Sequence, residues 1–130
     1  MTRPADIADG MTLADLLGLR ASGAGRGGFR YLGDDEGGAA EGQWLDYATL
    51  ERRARYLAVR LRDFADRGDR VLLYYPPGLD FIIGFFAATL AGLVGVPIAC
   101  PRGVPIRAEE FAGAAAAIGD CTPRLALTVE

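Results

Sequence analysis

The chain contains 130 residues, of which 51% are hydrophobic, and its formal net charge at pH 7 is −3. This length and composition fit one small domain with its own core and exclude a largely disordered protein. An acidic balance gives no electrostatic basis for binding nucleic acid, and two cysteines without any histidine provide neither a disulfide framework nor the usual zinc ligands. We therefore expect Cys100 and Cys121 to be free thiols of a cytoplasmic protein.

The amino-terminal part is predicted to contain a loose end, a short helix and a connector. Residues 1–10 have no apolar run after their arginine, so we expect a flexible segment and not a secretory signal. Thr12 can cap a helix whose first turn includes Asp15. Residues 23–28 match the pattern GxGxxG, but here the pattern follows a helix, whereas in a dinucleotide site it follows a strand. A glycine-rich connector over residues 21–28 is the favoured interpretation.

Alternating side chains next predict a β-hairpin, and the longest helix follows it. The strands are expected at residues 29–32 and 43–45, around a tip whose four carboxylates lack the spacing of an EF-hand calcium loop. Asp46 is a suitable N-cap for a helix over residues 47–67, which has apolar residues at intervals of three and four. Arginines occupy its other faces. We interpret them as a solvated surface, although a basic amphipathic helix can also bind a membrane or an acidic partner.

The segment from residue 67 to residue 102 organises the rest of the prediction. An apolar strand over residues 70–75 ends at a Pro-Pro-Gly turn, since proline gives no donor to a β-ladder. A helix over residues 79–94 and a second strand over residues 96–99 complete a βαβ unit with parallel strands. No residue from 81 to 100 is charged, so a single membrane span is the alternative. The glycines and the proline that interrupt this run favour the βαβ unit.

The carboxyl-terminal part is predicted to add a second crossover to the sheet. An irregular loop rich in proline leads to an alanine-rich helix over residues 107–118 and a third parallel strand over residues 124–129. Cys100 precedes no helix and has no histidine available, so we do not predict a nucleophile there. The expected fold class is therefore α/β, with a small, mostly parallel sheet, crossover helices and an amino-terminal β-hairpin.

Short motifs in the central segment resemble a known family. They are Gly-Asp-Arg-Val before the first parallel strand, Tyr-Pro-Pro-Gly-Leu-Asp-Phe after it, and Ala-Gly and Val-Pro around the second strand. These motifs resemble the amino-terminal portion of the adenylate-forming enzymes, and the Pro-Pro-Gly-Leu-Asp-Phe form resembles the fatty acyl-AMP ligases. The resemblance covers residues 12–128. The residues that carry it, as structural signature residues, are Gly68, Asp69, Arg70, Pro76, Pro77, Gly78, Asp80, Phe81, Gly92 and Pro97.

The resemblance implies that residues 1–130 form the amino-terminal piece of a larger acyl-adenylating domain. Enzymes of this kind activate a fatty acid with ATP and Mg²⁺, and they pass the acyl group to the phosphopantetheine arm of a carrier protein. Their phosphate-binding loop, ribose-binding acid and catalytic lysine correspond to positions beyond Glu130, and this chain contains no lysine. The resemblance therefore assigns no catalytic, cofactor-binding or metal-binding residue here.

Expectations about partners follow from the same resemblance. The chain by itself is expected to be inactive and to pack against the remaining subdomains of the parent enzyme. An open edge of its sheet is expected to promote self-association when those subdomains are absent. A stand-alone interaction module that uses the same edge is an alternative, and a single-span membrane protein is a less favoured one.

Overall fold

The computed structural model describes residues 9–23, 27–33, 42–100 and 108–129. Within these ranges, helices and strands alternate over most of the chain. The helices are α1 (Leu13–Ser22), α2 (Tyr47–Leu61), α3 (Leu79–Ala91) and α4 (Ala108–Cys121). The strands are β1 (Gly28–Tyr31), β2 (Gln43–Asp46), β3 (Arg70–Leu73), β4 (Val94–Pro97) and β5 (Leu125–Leu127).

Several predicted features lie outside the described residues. These are most of the expected flexible end (residues 1–8), the middle of the glycine-rich connector (24–26), the tip of the hairpin (34–41) and the proline-rich loop (101–107). The predictions for these segments therefore stay predictions.

Strands β1 and β2 form the antiparallel hairpin that the alternating side chains predict. Their register runs from the pair Gly28 and Asp46 to the pair Tyr31 and Gln43. The second strand leads directly into α2, so the hairpin fixes the position at which that helix begins.

The three remaining strands form a parallel sheet in the order β4-β3-β5. Val71 in the central strand lies opposite Gly95 on one side and Leu125 on the other. The chain thus runs from β3 to β4 on one side of it and then crosses back to β5 on the other side. Because crossovers between parallel strands are right-handed, this reversal places α3 and α4 on opposite faces of the sheet. The observed architecture confirms the predicted α/β class.

The core lies between the parallel sheet and the helices α2 and α3. Val71 and Leu73 belong to this core and are completely buried. Leu72 points to the opposite face of the sheet and is also buried, so β3 is covered on both faces, as its uncharged sequence predicts. Small residues let the two helices pack closely, and the buried ones are Ala54, Ala58, Gly84, Ala87, Ala88 and Ala91.

Two helices end earlier than the sequence pattern predicts. α2 ends at Leu61 and not at residue 67, because the chain turns there and buries Ala65 beside the helix. α3 ends at Ala91 and not at residue 94, because Gly92 adopts the left-handed conformation with φ of 78°. The following strand consequently begins at Val94, and not at residue 96.

The uncharged run from residue 81 to residue 100 is divided between a helix and a strand. α3 has 13 residues, and β4 follows it after a short turn. Over the part of the chain that the structure describes, no helix has the length and apolar character needed to cross a bilayer.

Side-chain caps fix the beginnings of the first two helices. The N–H of Asp15 donates to Thr12 Oγ1 (3.1 Å), and the N–H of Thr12 donates to Asp15 Oδ2 (2.9 Å), which completes a capping box. Asp46 Oδ1 accepts a hydrogen bond from the N–H of Thr49 (2.8 Å) at the start of α2. Both predicted helix starts are confirmed.

Candidate functional surface at the carboxyl end of the sheet

The signature residues form two groups at opposite ends of β3, and the first group sets where the strand begins. Gly68 and Gly92 have φ values of 89° and 78°, which a β-carbon disfavours. The N–H of Gly68 donates to the carbonyl of Gly92 (2.9 Å), so the turn before β3 is tied to the end of α3. Asp69 closes the same turn, since its carboxylate accepts a hydrogen bond from the N–H of Asp66 (2.9 Å).

Arg70 connects the start of β3 to the end of α4. Its Nε donates to the carbonyl of Cys121 (2.7 Å), and a terminal nitrogen donates to Thr122 Oγ1 (2.9 Å). The backbone carbonyl of Arg70 also accepts from the N–H of Arg124 (2.8 Å). This signature arginine therefore has a positioning role, because it holds the second crossover in register with the central strand.

The second group of signature residues lies at the carboxyl end of β3, where open α/β sheets bind their ligands. The Pro-Pro-Gly turn forms one wall of a cleft of about 220 Å³, and the segment after β4 forms the other wall. We call it the turn cleft. Its lining residues are Tyr75, Pro76, Pro77, Gly78, Phe81, Ile98, Ala99 and Cys100.

Aromatic packing holds the turn cleft in shape, and it depends on a glycine that the sequence analysis missed. The rings of Tyr75 and Phe81 meet edge to face, with 6.4 Å between their centres. A β-carbon added at Gly84 would lie 2.7 Å from the Tyr75 ring, so only glycine leaves room for that ring against α3. The available signal was a lone glycine inside an otherwise apolar helix pattern.

Tyrosine and cysteine side chains meet beside the turn cleft. The Tyr74 hydroxyl and the Cys100 thiol are close enough to affect each other's electrostatics. Desolvation raises the pKa of the Tyr74 hydroxyl, and the neighbouring Cys100 and Glu110 raise it further. Burial also raises the pKa of Tyr75, with an added contribution from the Asp80 carboxylate. Both phenols therefore stay protonated at neutral pH and can act as hydrogen-bond donors.

The remaining signature residues lie outside the turn cleft. Asp80 is exposed in the first turn of α3, where a negative charge favours the helix dipole. Pro97 is exposed at the end of β4. The structure thus brings the Pro-Pro-Gly turn and Phe81 together and leaves the glycine turn, Arg70 and Gly92 at the far end of the sheet.

The chemistry of these side chains does not fit ATP and Mg²⁺ by itself. Among residues 9–23, 27–33, 42–100 and 108–129, no three carboxylate, histidine or cysteine side chains gather in a way that could hold a metal ion. None of the residues that line the turn cleft has a charged side chain that could pair with a phosphate. The arrangement offers shape, apolar surface and neutral donors, so we derive no catalytic step from it.

Comparison with known proteins identifies the family. The sequence model described as "AMP-binding enzyme" matches residues 23–126. The chain belongs to the AMP-binding enzyme family. The matched range contains all ten signature residues, from the glycine turn before β3 to the proline in β4.

The relatives of this chain include a ligase and an adenylyltransferase. A medium-chain-fatty-acid–[acyl-carrier-protein] ligase, JamA, from Moorena producens is 39% identical over 97 residues, which is 74% of this chain and 16% of the relative. A 4-hydroxyphenylalkanoate adenylyltransferase from Mycobacterium marinum is 33% identical over 118 residues, which is 90% of this chain and 18% of the relative. The chain thus spans less than a fifth of the length of either relative.

A solved structure shows the same fold. The crystal structure of a fatty acid AMP ligase from Legionella pneumophila matches with a TM-score of 0.76 at 26% identity, over 89% of this chain and 19% of that one. The predicted resemblance to the amino-terminal portion of adenylate-forming enzymes, in the form found in fatty acyl-AMP ligases, is confirmed.

Proposed function

We propose that this chain is the amino-terminal scaffold of an enzyme that activates a fatty acid with ATP to acyl-AMP. The acyl group is then transferred to the phosphopantetheine arm of a carrier protein. The observation that carries the proposal is the 39% identity, over 97 residues, to a ligase named for a medium-chain fatty acid and an acyl carrier protein. The fold shared with a fatty acid AMP ligase supports the same reaction class.

In this proposal the chain supplies structure and the rest of the enzyme supplies chemistry. Parts of the enzyme outside this segment bind ATP and Mg²⁺. The isolated chain is inactive. The enzyme is located in the cytoplasm. Helix α4 supports a scaffold role, because Phe111 and Ile118 are 70% and 46% exposed and none of its residues is buried. An apolar helix face of this kind favours packing against further subdomains.

A chimeric enzyme tests the proposed function. The whole chain replaces the aligned segment of the JamA ligase, and ATP–pyrophosphate exchange is measured with and without a medium-chain fatty acid. We expect fatty-acid-dependent exchange in the chimera, and none in the isolated chain or in JamA that lacks the segment. A chimera that is folded by circular dichroism but shows no exchange would contradict the proposal.

A stand-alone interaction module is the second candidate function, favoured by the exposed edge of β5 described below. Self-association of the isolated chain through that edge stays a prediction, and sedimentation velocity over a range of concentrations tests it. A folded but inactive chimera, together with a stoichiometric dimer of the isolated chain, would favour the module over the ligase segment.

A further inference from the structure

The outward side of α2 carries an exposed aromatic residue that is surrounded by arginines. On a helix surface, the neighbours of a residue are those three and four positions away. For Tyr56 these neighbours are Arg52, Arg53, Val59 and Arg60. Tyr56 is 69% exposed and Val59 is 61% exposed, so both offer apolar surface to a partner. We call these five residues the Tyr56 patch.

The positive charge of this patch is not compensated by carboxylates. Within the described ranges, α2 forms one ion pair, between Arg55 and Glu51, and it lies outside the patch. The arginines of the patch form none among the described residues, although Asp63 follows Arg60 by three positions. Helix α2 contains four arginines and one glutamate, a net charge of +3, whereas the whole chain carries −3. The patch therefore favours a partner that brings carboxylates.

The packing of α2 favours a protein partner over a membrane. A helix that binds a bilayer inserts its apolar face below the headgroups. In α2 that face is already buried in the core, through Leu50, Ala54, Ala58 and Leu61. The net negative charge of the whole chain would also be repelled by anionic lipids. Tyrosine and arginine, in contrast, are enriched among the residues that dominate the binding energy of protein interfaces.

The Tyr56 patch lies on the other side of the sheet from the surface assigned to the rest of the ligase. Helices α2 and α3 share the core on one face of the sheet, and the reversed crossover places α4 on the other face. In the proposed function, the exposed apolar side of α4 packs against further subdomains. The patch then faces outward from the opposite side, where a separate protein can reach it. This placement rests on the proposed function.

We propose that the Tyr56 patch binds an acidic helix of a separate protein. Arg53 and Arg60 are seven residues apart, which is about two turns or roughly 10.5 Å along α2. Carboxylates seven residues apart on a helix lying alongside α2 meet both guanidinium groups, which are suited to bidentate pairing. An apolar side chain between those carboxylates packs against Tyr56 and Val59.

Peptide binding tests the chemistry of the partner. The probe is a fluorescein-labelled, alanine-rich helical peptide of about 20 residues, with glutamates seven residues apart and a leucine between them. Its matched control has lysine in place of glutamate. We expect the glutamate peptide to bind the full chain with a rise in fluorescence anisotropy that weakens as salt is added. The lysine peptide should bind at least about tenfold more weakly.

Variants of the charge and of the ring test the location of binding. Arg53→Glu reverses one charge of the patch, and Arg20→Glu makes the same change on α1. Tyr56→Ala removes the exposed ring of the patch, and Phe111→Ala removes a ring on α4 that is 70% exposed. We expect Arg53→Glu and Tyr56→Ala each to weaken binding about tenfold or more, and each control to change it by less than about threefold. Circular dichroism checks that every variant is folded.

The outcomes that overturn the proposal are distinct. Equal binding of both peptides, or unchanged binding by folded Arg53→Glu or Tyr56→Ala, excludes an acidic helix at this patch. Binding to phosphatidylglycerol vesicles that Arg53→Glu abolishes, without binding of the glutamate peptide, assigns the patch to a membrane instead. A dimer of the chain that excludes the peptide and that Arg53→Glu disrupts assigns it to a second copy.

The JamA chimera tests whether the partner is a separate protein. Tyr56 and Arg60 also border a groove of about 660 Å³ beside β5, so the rest of a ligase could cover them. We expect the chimera to bind the glutamate peptide within about threefold of the isolated chain. Loss of peptide binding in an active chimera assigns the patch to a contact within the ligase and overturns the proposal. None of these results changes the fatty-acid-dependent exchange expected of the chimera, so failure here is distinguishable from failure of the proposed function.

Discussion

The two edges of the parallel sheet differ in what they offer to another strand. At the β4 edge, the N–H of Val94 donates to the carbonyl of Asp69, and the N–H of Ile98, just after β4, donates to the carbonyl of Leu73. Gly95 and Pro97 therefore face outward. Proline has no N–H to donate, and β4 therefore presents a blunted edge. At the β5 edge, the carbonyl of Leu127 accepts from the N–H of Tyr74 (2.9 Å), so Ala126 and the following Thr128 direct intact N–H groups outward.

This difference gives a physical reason for one signature residue. Pro97 belongs to the Val-Pro motif that resembles adenylate-forming enzymes, and it lies at the end of β4, the blunted edge strand. The opposite edge has no such protection and adjoins an apolar groove. The sheet is therefore blunted at β4 and open at β5.

The largest expected effect is a loss of stability at β3, the central strand that pairs with both edge strands. Leu73→Ala removes a completely buried side chain of β3 and leaves a cavity, so we expect a loss of about 2–5 kcal/mol in the free energy of unfolding. Urea denaturation measures it. Val59→Ala on the exposed side of α2 is the control, with an expected change under about 0.5 kcal/mol. Equal losses in both variants would contradict the assignment of β3 as the core strand.

A smaller loss of stability is expected from a substitution at Gly92, in the turn that leads into β4. Gly92→Ala places a β-carbon in the left-handed conformation and about 3.2 Å from Arg67 Cγ, so we expect a loss of about 1–2 kcal/mol. The same substitution at Gly113 in α4 meets open space, and there it should stabilise the chain by about 0.5–1 kcal/mol. Thermal unfolding of the two variants should shift in opposite directions, and a shift in the same direction would be inconsistent with the turn geometry.

Removing the proline should make the two edges alike. Pro97→Val restores an outward N–H to β4 and changes stability by less than about 1 kcal/mol. We expect stronger concentration-dependent association than in the unmodified chain, measured by sedimentation velocity. Pro76→Val, at an exposed turn away from either edge, is the matched control. No increase in association for the variant at residue 97 would argue that proline does not protect this edge.

A prediction away from both edges concerns the cap of α2. The backbone and side-chain hydrogen bonds from Thr49 lower the pKa of Asp46 below its ordinary value of 3.8. Because the folded state favours the ionised form, its stabilising contribution is complete above that ordinary value and is lost as pH falls below it. We expect Asp46→Asn to weaken the decline in melting temperature between about pH 5 and pH 2. An unchanged decline would show that the carboxylate does not act as the cap.

The smallest effect is expected at the ion pair on the solvated face of α2. Arg55 Nε lies 2.6 Å from Glu51 Oε1, but the arginine side chain is 64% exposed. Glu51→Gln should therefore cost only about 0.3–0.5 kcal/mol at low salt, and less at high salt. Urea denaturation at two ionic strengths measures it. A loss that does not depend on salt would contradict an electrostatic origin.

The sequence predicts local features of this fold better than non-local ones. The caps at Thr12 and Asp46, the hairpin and the βαβ unit all follow from short-range patterns, and the structure confirms them. The order of the strands does not follow from such patterns, because parallel pairing joins residues far apart in the chain. The room that Gly84 leaves for Tyr75, and the outward direction of the residue at 97, depend on packing and register that become visible only in three dimensions.

Hydrogen exchange at the two edges tests the central claim most directly. Backbone exchange rates of Ala126, Thr128 and Gly95 are compared between the isolated chain and the JamA chimera. If the proposed scaffold role is correct, other parts of the ligase cover the open edge, so Ala126 and Thr128 should gain protection of at least about tenfold in the chimera, and Gly95 at the blunted edge should gain less. Fast exchange at Ala126 and Thr128 in a folded, active chimera would contradict the proposal that this chain is a scaffold against which the rest of the ligase packs.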